Sequence, residues 1–129
     1  METALFFASM LNFPAIELKP ADKAWPKLLS QIHDPPKKLY CRGNLSLLNS
    51  GCFAVVGTRK LTSYGRETAQ QIVRDLANNG FTIVSGLALG IDAVVHQTIL
   101  DCKGKTIAVL GGGVGDKNIG PRTNFPLAQ

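Results

Sequence analysis

Three short apolar segments constrain the fold of this chain more than any other feature of its sequence. Residues 53–56, 81–84 and 106–110 carry no charge and are rich in β-branched side chains. Continuous apolar runs of this length are typical of strands that are buried on both faces of a parallel sheet. The segments begin 28 and 25 residues apart, which is a spacing typical of βαβ units with right-handed crossovers.

Two helices are predicted between these strands. The first, over residues 65–79, ends at Gly80 and places five apolar side chains on one face: Ala69, Ile72, Val73, Leu76 and Ala77. The second is predicted over residues 92–103, with Asp92 as its N-cap and Gly104 as its stop. The pattern predicts an α/β, Rossmann-like three-layer fold with a mainly parallel sheet.

The two ends of the chain differ from this regular middle. Residues 1–52 hold five of the seven prolines and are predicted to form a lead-in segment with one short helix, at about 21–33. Residues 53–129 are predicted to form the first half of a Rossmann-like domain. Asn124 is predicted to cap a further helix with Pro126 in its first turn, and the sheet is expected to be incomplete at the C-terminus.

Charge and cysteine usage narrow the function classes. Fourteen Lys and Arg against nine Asp and Glu give a net charge of +5, which favours an anionic partner. The three cysteines form no CxxC pair, so they predict buried thiols in a reducing cytoplasm rather than a metal site or a disulfide framework. No apolar run approaches the roughly 18 residues that a membrane span requires.

Glycine-rich loops follow all three predicted strands, at residues 57–65, 85–90 and 111–122. In an open parallel sheet, the loops at the carboxyl ends of the strands line the binding crevice. Glycines there let backbone N–H groups face a ligand, and helix N-termini add partial positive charge. The three loops therefore predict a phosphate site at one edge of the sheet.

The first loop matches neither GxGxxG nor GxxxxGK[ST], yet it carries the residues best suited to phosphate. Arg59 offers a bidentate contact, Lys60 a point charge and Tyr64 a stacking surface. Alternatively, Lys60 is a solvated surface residue, Tyr64 packs against the helix and Ser63 caps it. The candidate residues of this loop are Gly57, Thr58, Arg59, Lys60, Ser63 and Tyr64.

The other two loops add candidates of their own. Ser85 and Gly86 could donate hydrogen bonds to a phosphate, and the charges of the third loop could extend a basic strip from Arg59. Alternatively, the third loop is an irregular connection whose charged side chains are solvated and bind no ligand. Its candidates are Gly111, Gly112, Lys117 and Arg122.

Asp92 and His96 lie four residues apart on one face of the second predicted helix. Such a pair could transfer protons, but we favour the interpretation that Asp92 caps the helix and that His96 makes a local hydrogen bond. No third ligand is suggested for a metal. We therefore predict no catalytic residue, no metal and no other cofactor.

Three segments in this order, VVGTRKLTSYG, IVSGLALGIDAVVH and TIAVLGGG, resemble the DNA-processing protein A family, also called DprA or Smf. The earlier segment WPKLLSQIHDPPKKLYCRG resembles the lead-in of that family. The resemblance runs from about Ala15 to Gln129. It implies an extended Rossmann fold that binds single-stranded DNA, forms a homodimer and loads the RecA recombinase onto DNA in natural transformation, without catalysis.

The resemblance also implies roles for particular residues. Arg59 matches the family's phosphate-contacting arginine, and Ser85 and Gly86 match the Ser-Gly pair of its second loop. The third loop departs from the pattern G-x-D-x-x-Y-P-x-x-N, because it is one residue longer between Asp116 and Pro121 and has Gly120 in place of tyrosine.

Two other readings remain open at the level of sequence. The glycines of the third loop are faintly similar to the P-G-G-x-G-T loop of nucleoside monophosphate hydrolases, although the proline, threonine and glutamate are missing. In the second reading, the chain is a fragment that retains half of a fold. Its exposed sheet edge would then be prone to self-association.

Overall fold

A computed structural model of the chain describes residues 3–7, 13–117 and 119–128. The strands within these ranges are β1 (Thr3–Phe7), β2 (Ile16–Leu18), β3 (Leu39–Arg42), β4 (Cys52–Ala54), β5 (Thr82–Ser85) and β6 (Lys105–Leu110). The α-helices are α1 (Ser63–Asn78) and α2 (Ile91–Asp101), and 3-10 helices cover Lys27–Gln31, Leu45–Asn49 and Arg122–Ala128. No helix in the described ranges is long and apolar enough to cross a membrane.

All six strands join one sheet in the order β2-β3-β1-β6-β5-β4. The pairs β4–β5, β5–β6 and β1–β3 are parallel, whereas β1–β6 and β2–β3 are antiparallel. The predicted α/β fold with a mainly parallel sheet is confirmed, and its three predicted strands lie side by side. The boundary predicted at residue 52 falls where β4 begins, and strands from both sides of it belong to the same sheet.

β4 differs from the prediction of a strand buried on both faces. It ends at Ala54 rather than at Val56 and forms an outer edge of the sheet, so among the described residues it has a neighbouring strand on one side only. Phe53 is 47% exposed, and its ring packs edge-to-face against Phe81. An apolar run by itself does not distinguish a central strand from an edge strand, because that difference depends on which elements pack beside it.

The two helices lie close to their predicted bounds, but their ends are built differently. Thr62 caps α1, since its hydroxyl accepts from the Gly65 amide at 3.0 Å, and Gly80 ends it with a φ of +84°. α2 begins after Gly90, so the prediction of Asp92 as N-cap is wrong. The left-handed residue after α2 is Lys103, with a φ of +55°, and the Gly104 amide then donates to the Ile99 carbonyl in a Schellman-type ending.

The lead-in segment folds differently from the single helix predicted over 21–33. Within residues 21–33 only Lys27–Gln31 is helical, as a short 3-10 helix, and a second 3-10 helix of the lead-in segment covers Leu45–Asn49. The Asn49 side chain accepts from the Lys27 amide and donates to the Ala24 and Trp25 carbonyls. β1, which the sequence did not predict, lies between β3 and β6.

Two apolar clusters cover the sheet. One gathers α1 and α2 around Ile83 of β5, and the other gathers lead-in residues such as Trp25 and Leu39 with Ile107 of β6. The adjacent residues Ile83 and Val84 contact different clusters, as expected from the alternation of side chains along a strand.

Two local predictions also need correction. Asn124 lies inside the 3-10 helix Arg122–Ala128 rather than at the cap of an α-helix. Cys41 is buried as predicted, but Cys52 and Cys102 are exposed, because one lies on the edge strand and the other at the end of α2.

Candidate functional site

The three glycine-rich loops meet at the carboxyl ends of β4, β5 and β6, as the parallel order requires. They enclose a cavity of about 330 Å³, called here the loop crevice. Its lining comes from all three loops: Arg59, Gly86, Ala88, Leu89, Gly111, Gly120 and Pro121. The only charged side chain in this lining is the guanidinium of Arg59.

Arg59 is held at the crevice by close contact between the first two loops. The Ile91 amide donates to the Thr58 carbonyl at 3.1 Å, which ties the start of α2 to the first loop. Gly90 has a φ of +83°, and a Cβ at this position would lie 2.2 Å from the Thr58 carbonyl oxygen and 2.7 Å from the Arg59 Cα. A Cβ on Gly57 would meet Ile91 at 2.7 Å. These two glycines therefore allow the loops to approach each other, and this approach fixes the backbone of Arg59.

The remaining residues of the first loop have separate roles. The Thr58 hydroxyl accepts from the Lys60 amide at 3.0 Å, which folds the loop into a tight turn. Tyr64 is 78% exposed, so it does not pack against the helix, and Thr62 rather than Ser63 provides the helix cap. The Tyr64 ring, the Ser63 hydroxyl and the Lys60 side chain are all exposed at the beginning of α1.

The second loop is held from inside the protein. The Gly86 amide donates to the Asp92 carboxylate at 3.1 Å, and the Leu87 amide donates to His96 Nε2 at 3.2 Å. The Gly86 amide is therefore already satisfied and differs from the free phosphate donor that the sequence suggested. Gly86 instead lets the chain pass close to Asp92, because a Cβ on it would lie 2.7 Å from the carboxylate.

Ser85, the other candidate of this loop, is 2% exposed. Its hydroxyl is the one buried side-chain polar atom of the described residues that has no hydrogen-bond partner. Ser85 is not among the residues that line the crevice.

His96 serves as a fixed acceptor at the base of the second loop. Because Nε2 accepts from the Leu87 amide, the proton of the neutral ring lies on Nδ1, which donates to the Thr106 hydroxyl at 2.9 Å. That hydroxyl donates in turn to the Ile83 carbonyl at 2.9 Å. Burial lowers the pKa of His96 to about 4, and the Asp92 charge opposes this shift only in part. Asp92 and His96 are thus both engaged in holding the loop, which agrees with a local hydrogen bond for His96.

Asn124 closes the second loop from the opposite side. Its amide nitrogen donates to the Leu87 carbonyl at 2.9 Å and to the Ala88 carbonyl at 3.0 Å. Leu87 itself has a φ of +58° and is buried. Sequence reasoning gave Asn124 a different role, and no local pattern reveals a contact 37 residues away along the chain.

The third loop is organised by two arginines. Arg122 donates to the Asp116 and Lys117 carbonyls at 3.1 and 3.2 Å, so its exposed guanidinium is tied to its own loop, and its part in a basic strip stays a prediction. Arg42 of β3, which sequence reasoning missed, forms an ion pair with Asp116 and donates to the Val114 carbonyl. Lys117, Gly111 and Gly112 are exposed on this loop, and Gly111 lines the crevice.

A second cavity adjoins the loop crevice at Arg59. It has a volume of about 590 Å³ and lies between the start of α1, α2 and the 3-10 helix Arg122–Ala128. We call it the helix pocket. Arg66 of α1 and Gln97 of α2 line it together with Arg59. In the part of the chain that the structure describes, no cluster of three His, Cys, Asp or Glu side chains could hold a metal ion.

Comparisons with known proteins agree on one family. The family model described as DNA recombination-mediator protein A matches residues 17–129. The chain is 39% identical over 110 residues to the DNA processing protein DprA of Bacillus subtilis, covering 84% of this chain and 36% of the relative. It is 41% identical over 119 residues to protein Smf of Escherichia coli, covering 92% of this chain and 31% of the relative. The chain thus spans about a third of the length of these relatives.

Solved structures give the same result. DNA processing protein A of Streptococcus pneumoniae superposes with a TM-score of 0.80 at 38% identity, over 92% of this chain and 40% of that one. DNA processing protein A of Helicobacter pylori, whose structure was described for its mode of single-stranded DNA binding, superposes with a TM-score of 0.74 at 34% identity. That superposition covers 92% of this chain and 51% of the other.

Proposed function

The chain belongs to the DNA recombination-mediator protein A family, and from this membership and the geometry of the loop crevice we propose that it binds single-stranded DNA. The observation that carries the proposal is the position of Arg59. Its exposed guanidinium lies where three glycine-rich loops converge and lines both adjoining cavities. An arginine fixed in this way can bind successive phosphates of a strand without reading its sequence.

The other candidate residues fall into two groups in this proposal. Lys60, Ser63, Tyr64 and Lys117 are exposed and could contact the strand directly. Gly57, Thr58, Gly86 and Arg122 act indirectly, because their contacts shape the loops, and Ser85 is buried behind the second loop. Gly111 lines the crevice and has no atom within 4 Å of the point that a Cβ would occupy, so it leaves room for a backbone, and Gly112 is exposed beside it. The net charge of +5 supports an anionic partner.

Fluorescence anisotropy with labelled oligo-dT at two salt concentrations tests the proposal. The wild-type chain should bind, and its affinity should fall as salt rises. Arg59→Ala should weaken binding by about tenfold or more, because it removes a charge-assisted contact. Arg74→Ala, which removes the same charge from the exposed surface of α1 away from both cavities, is the matched control and should have a much smaller effect. Equal effects of the two substitutions would refute the crevice as the binding site.

We also propose that the protein acts in the cytoplasm without catalysis. Asp92 and His96 support the absence of catalysis, since both side chains are buried and hydrogen-bonded to the second loop. A thermal shift with nucleoside monophosphates separates this proposal from a nucleotide-binding enzyme. Stabilisation by a monophosphate but not by an oligonucleotide would favour the enzyme.

The proposed partners are the RecA recombinase and a second copy of the chain. The description of the matching family as recombination mediators supports RecA as a partner. Measuring RecA assembly on oligo-dT with and without the chain tests this partnership. The edge of β4 supports self-association, because its three residues are uncharged and exposed and no further described strand pairs with it. Light scattering measures the mass in solution, and a monomer at all concentrations would refute the homodimer.

A further inference from the structure

A third cavity lies in the lead-in segment and is called here the lead-in pocket. Its volume of about 420 Å³ falls in the range of about 300–1,000 Å³ that is common for ligand pockets. One short stretch of the chain lines it: Pro20, Asp22, Lys23, Trp25, Lys27 and Ser30. None of these residues lines the loop crevice or the helix pocket, so the lead-in pocket is open to a ligand of its own.

The polar groups of this pocket are mainly hydrogen-bond donors. Lys23 and Lys27 are exposed, and neither ammonium group forms an ion pair with another described residue. The Ser30 hydroxyl accepts from Trp25 Nε1 at 2.9 Å, which leaves its own proton available to donate. The one carboxylate of the lining, that of Asp22, already accepts from a backbone amide three residues earlier, at 2.7 Å. The pocket therefore suits an anionic group.

Large apolar side chains are exposed in the same segment. Leu28 follows Lys27 in the 3-10 helix and is 77% exposed, and Ile32, at the end of that helix, is 49% exposed. A single exposed apolar side chain is common on a protein surface, but here the most exposed one is next in sequence to a charged residue of the pocket. A ligand that is both acidic and apolar matches this surface better than a simple anion.

This combination favours a peptide over a second site for nucleic acid. A single strand is bound by exposed aromatic faces together with positive charge. The aromatic side chain of the lining, Trp25, is only 3% exposed and packs in the apolar cluster with Leu39 and Ile107, so its face is closed to a base. The exposed apolar groups are aliphatic, and such groups are covered effectively by apolar side chains of another protein.

We propose that the lead-in pocket and the exposed side chain of Leu28 form a docking surface for an acidic peptide segment of a partner protein. Carboxylates of the segment pair with Lys23 and Lys27 and accept from the Ser30 hydroxyl. An apolar side chain of the same segment packs on Leu28. Charge complementarity determines the sign of the partner, and the aliphatic contact distinguishes a protein from other polyanions.

Fluorescence anisotropy with a labelled synthetic peptide tests this proposal. The probe is a short run of aspartates that ends in leucines. Two matched peptides replace either the aspartates by asparagines or the leucines by serines. The wild-type chain should bind the probe about tenfold more tightly than either matched peptide, because each of them lacks one half of the complementary chemistry.

Two variants locate the binding on the chain. Lys27→Ala should weaken the probe about fivefold, and Leu28→Ser should weaken it about tenfold while leaving the affinity for the serine peptide unchanged. Lys105→Ala, which removes the same charge from an exposed residue outside all three cavities, is the matched control and should have little effect. Because all three side chains are exposed, these variants should keep the thermal midpoint of the wild type.

The outcomes separate this proposal from DNA binding. Arg59→Ala should weaken oligo-dT and leave the affinity for the probe unchanged. Equal binding of the probe and its matched peptides by the wild type, or no binding of the probe, would overturn the docking surface and leave DNA binding intact. Equal effects of Lys27→Ala and Lys105→Ala on the probe would also overturn it. If Lys27→Ala weakened oligo-dT and left the probe unchanged, the pocket would belong to the strand, and the peptide proposal would be wrong.

Discussion

Substitution of Gly90 by alanine should be among the most damaging single changes in the binding loops. The Cβ would lie 2.2 Å from the Thr58 carbonyl oxygen and 2.9 Å from the Arg59 carbonyl carbon, whereas ordinary contacts begin at 3.4 Å. Both opposing atoms belong to the backbone, so no side chain can rotate to relieve the overlap. The φ of +83° and ψ of −128° at Gly90 add strain for any L-residue.

The expected loss of stability follows from these terms. Backbone strain of this type costs about 1–3 kcal/mol, and forced overpacking typically about 1–3 kcal/mol more. Separation of the loops would also break the hydrogen bond from the Ile91 amide to the Thr58 carbonyl, at about 1 kcal/mol. Gly90→Ala should therefore lower the free energy of unfolding by about 3–7 kcal/mol, which is a large part of the stability of a domain of this size.

Two other glycines separate the steric effect from the conformational one. Gly80 has a φ of +84°, but no atom lies within 4 Å of the point that an alanine Cβ would occupy, so Gly80→Ala should cost only about 1 kcal/mol. Gly111 lines the crevice and has neither a positive φ nor a close neighbour, so Gly111→Ala should be nearly neutral. Urea unfolding followed by circular dichroism gives all three free energies. Equal losses for Gly90→Ala and Gly80→Ala would refute the close approach of the two loops.

Three further predictions concern the buried polar and thiol groups. Because burial lowers the pKa of His96 to about 4, below its unfolded value of about 6.5, its neutral form stabilises the fold above pH 6.5 and this stability is lost as pH falls towards 4. Urea unfolding should show that the free energy of unfolding falls by about 2 kcal/mol between pH 7 and about pH 4.5, and that His96→Gln abolishes this fall. An identical pH dependence in the variant would contradict the lowered pKa of His96. Asn124→Ala should lower stability by about 1–3 kcal/mol in the same assay, because two carbonyls of the second loop lose their donor, and an unchanged midpoint would exclude this role. Iodoacetamide should quickly modify Cys52 and Cys102 in the native chain, because both thiols are exposed. Cys41 should react slowly, because it is buried and burial raises its pKa to about 12. Mass spectrometry counts the modified cysteines, and rapid modification of all three would contradict the packing of β3.

Sequence patterns predicted the strands and helices that can be recognised from the residues of a single segment. β5, β6, α1 and α2 follow from apolar periodicity within each segment, and the convergence of the three loops follows from parallel strand order. The exposure of β4 could not be predicted in this way, because it depends on a position at the sheet edge. The insertion of β1 between β3 and β6 likewise depends on pairing between segments that lie far apart in the sequence.

The sequence predicted where the candidate site lies in the fold, but it did not predict the hydrogen bonds within the site. Arg59 lies at the convergence of the loops, as its place after the first strand suggests. The partners of Gly86 and Arg122 depend on the folded paths of the loops, which turn the Gly86 amide towards Asp92 and the Arg122 guanidinium towards its own loop. The role of Gly90 could have been predicted, because a glycine just before a helix often has a backbone conformation that other residues rarely adopt.

The most direct test of the central claim is to locate oligo-dT on the chain by nuclear magnetic resonance. In a titration of the isotope-labelled protein, the backbone amide signals that shift most should belong to the residues that line the loop crevice and carry an amide proton: Arg59, Gly86, Ala88, Leu89, Gly111 and Gly120. Raising the salt concentration should reverse these shifts. Shifts confined to β2, β3 and the edge of β4, with the crevice signals unmoved, would contradict the assignment of this crevice to single-stranded DNA.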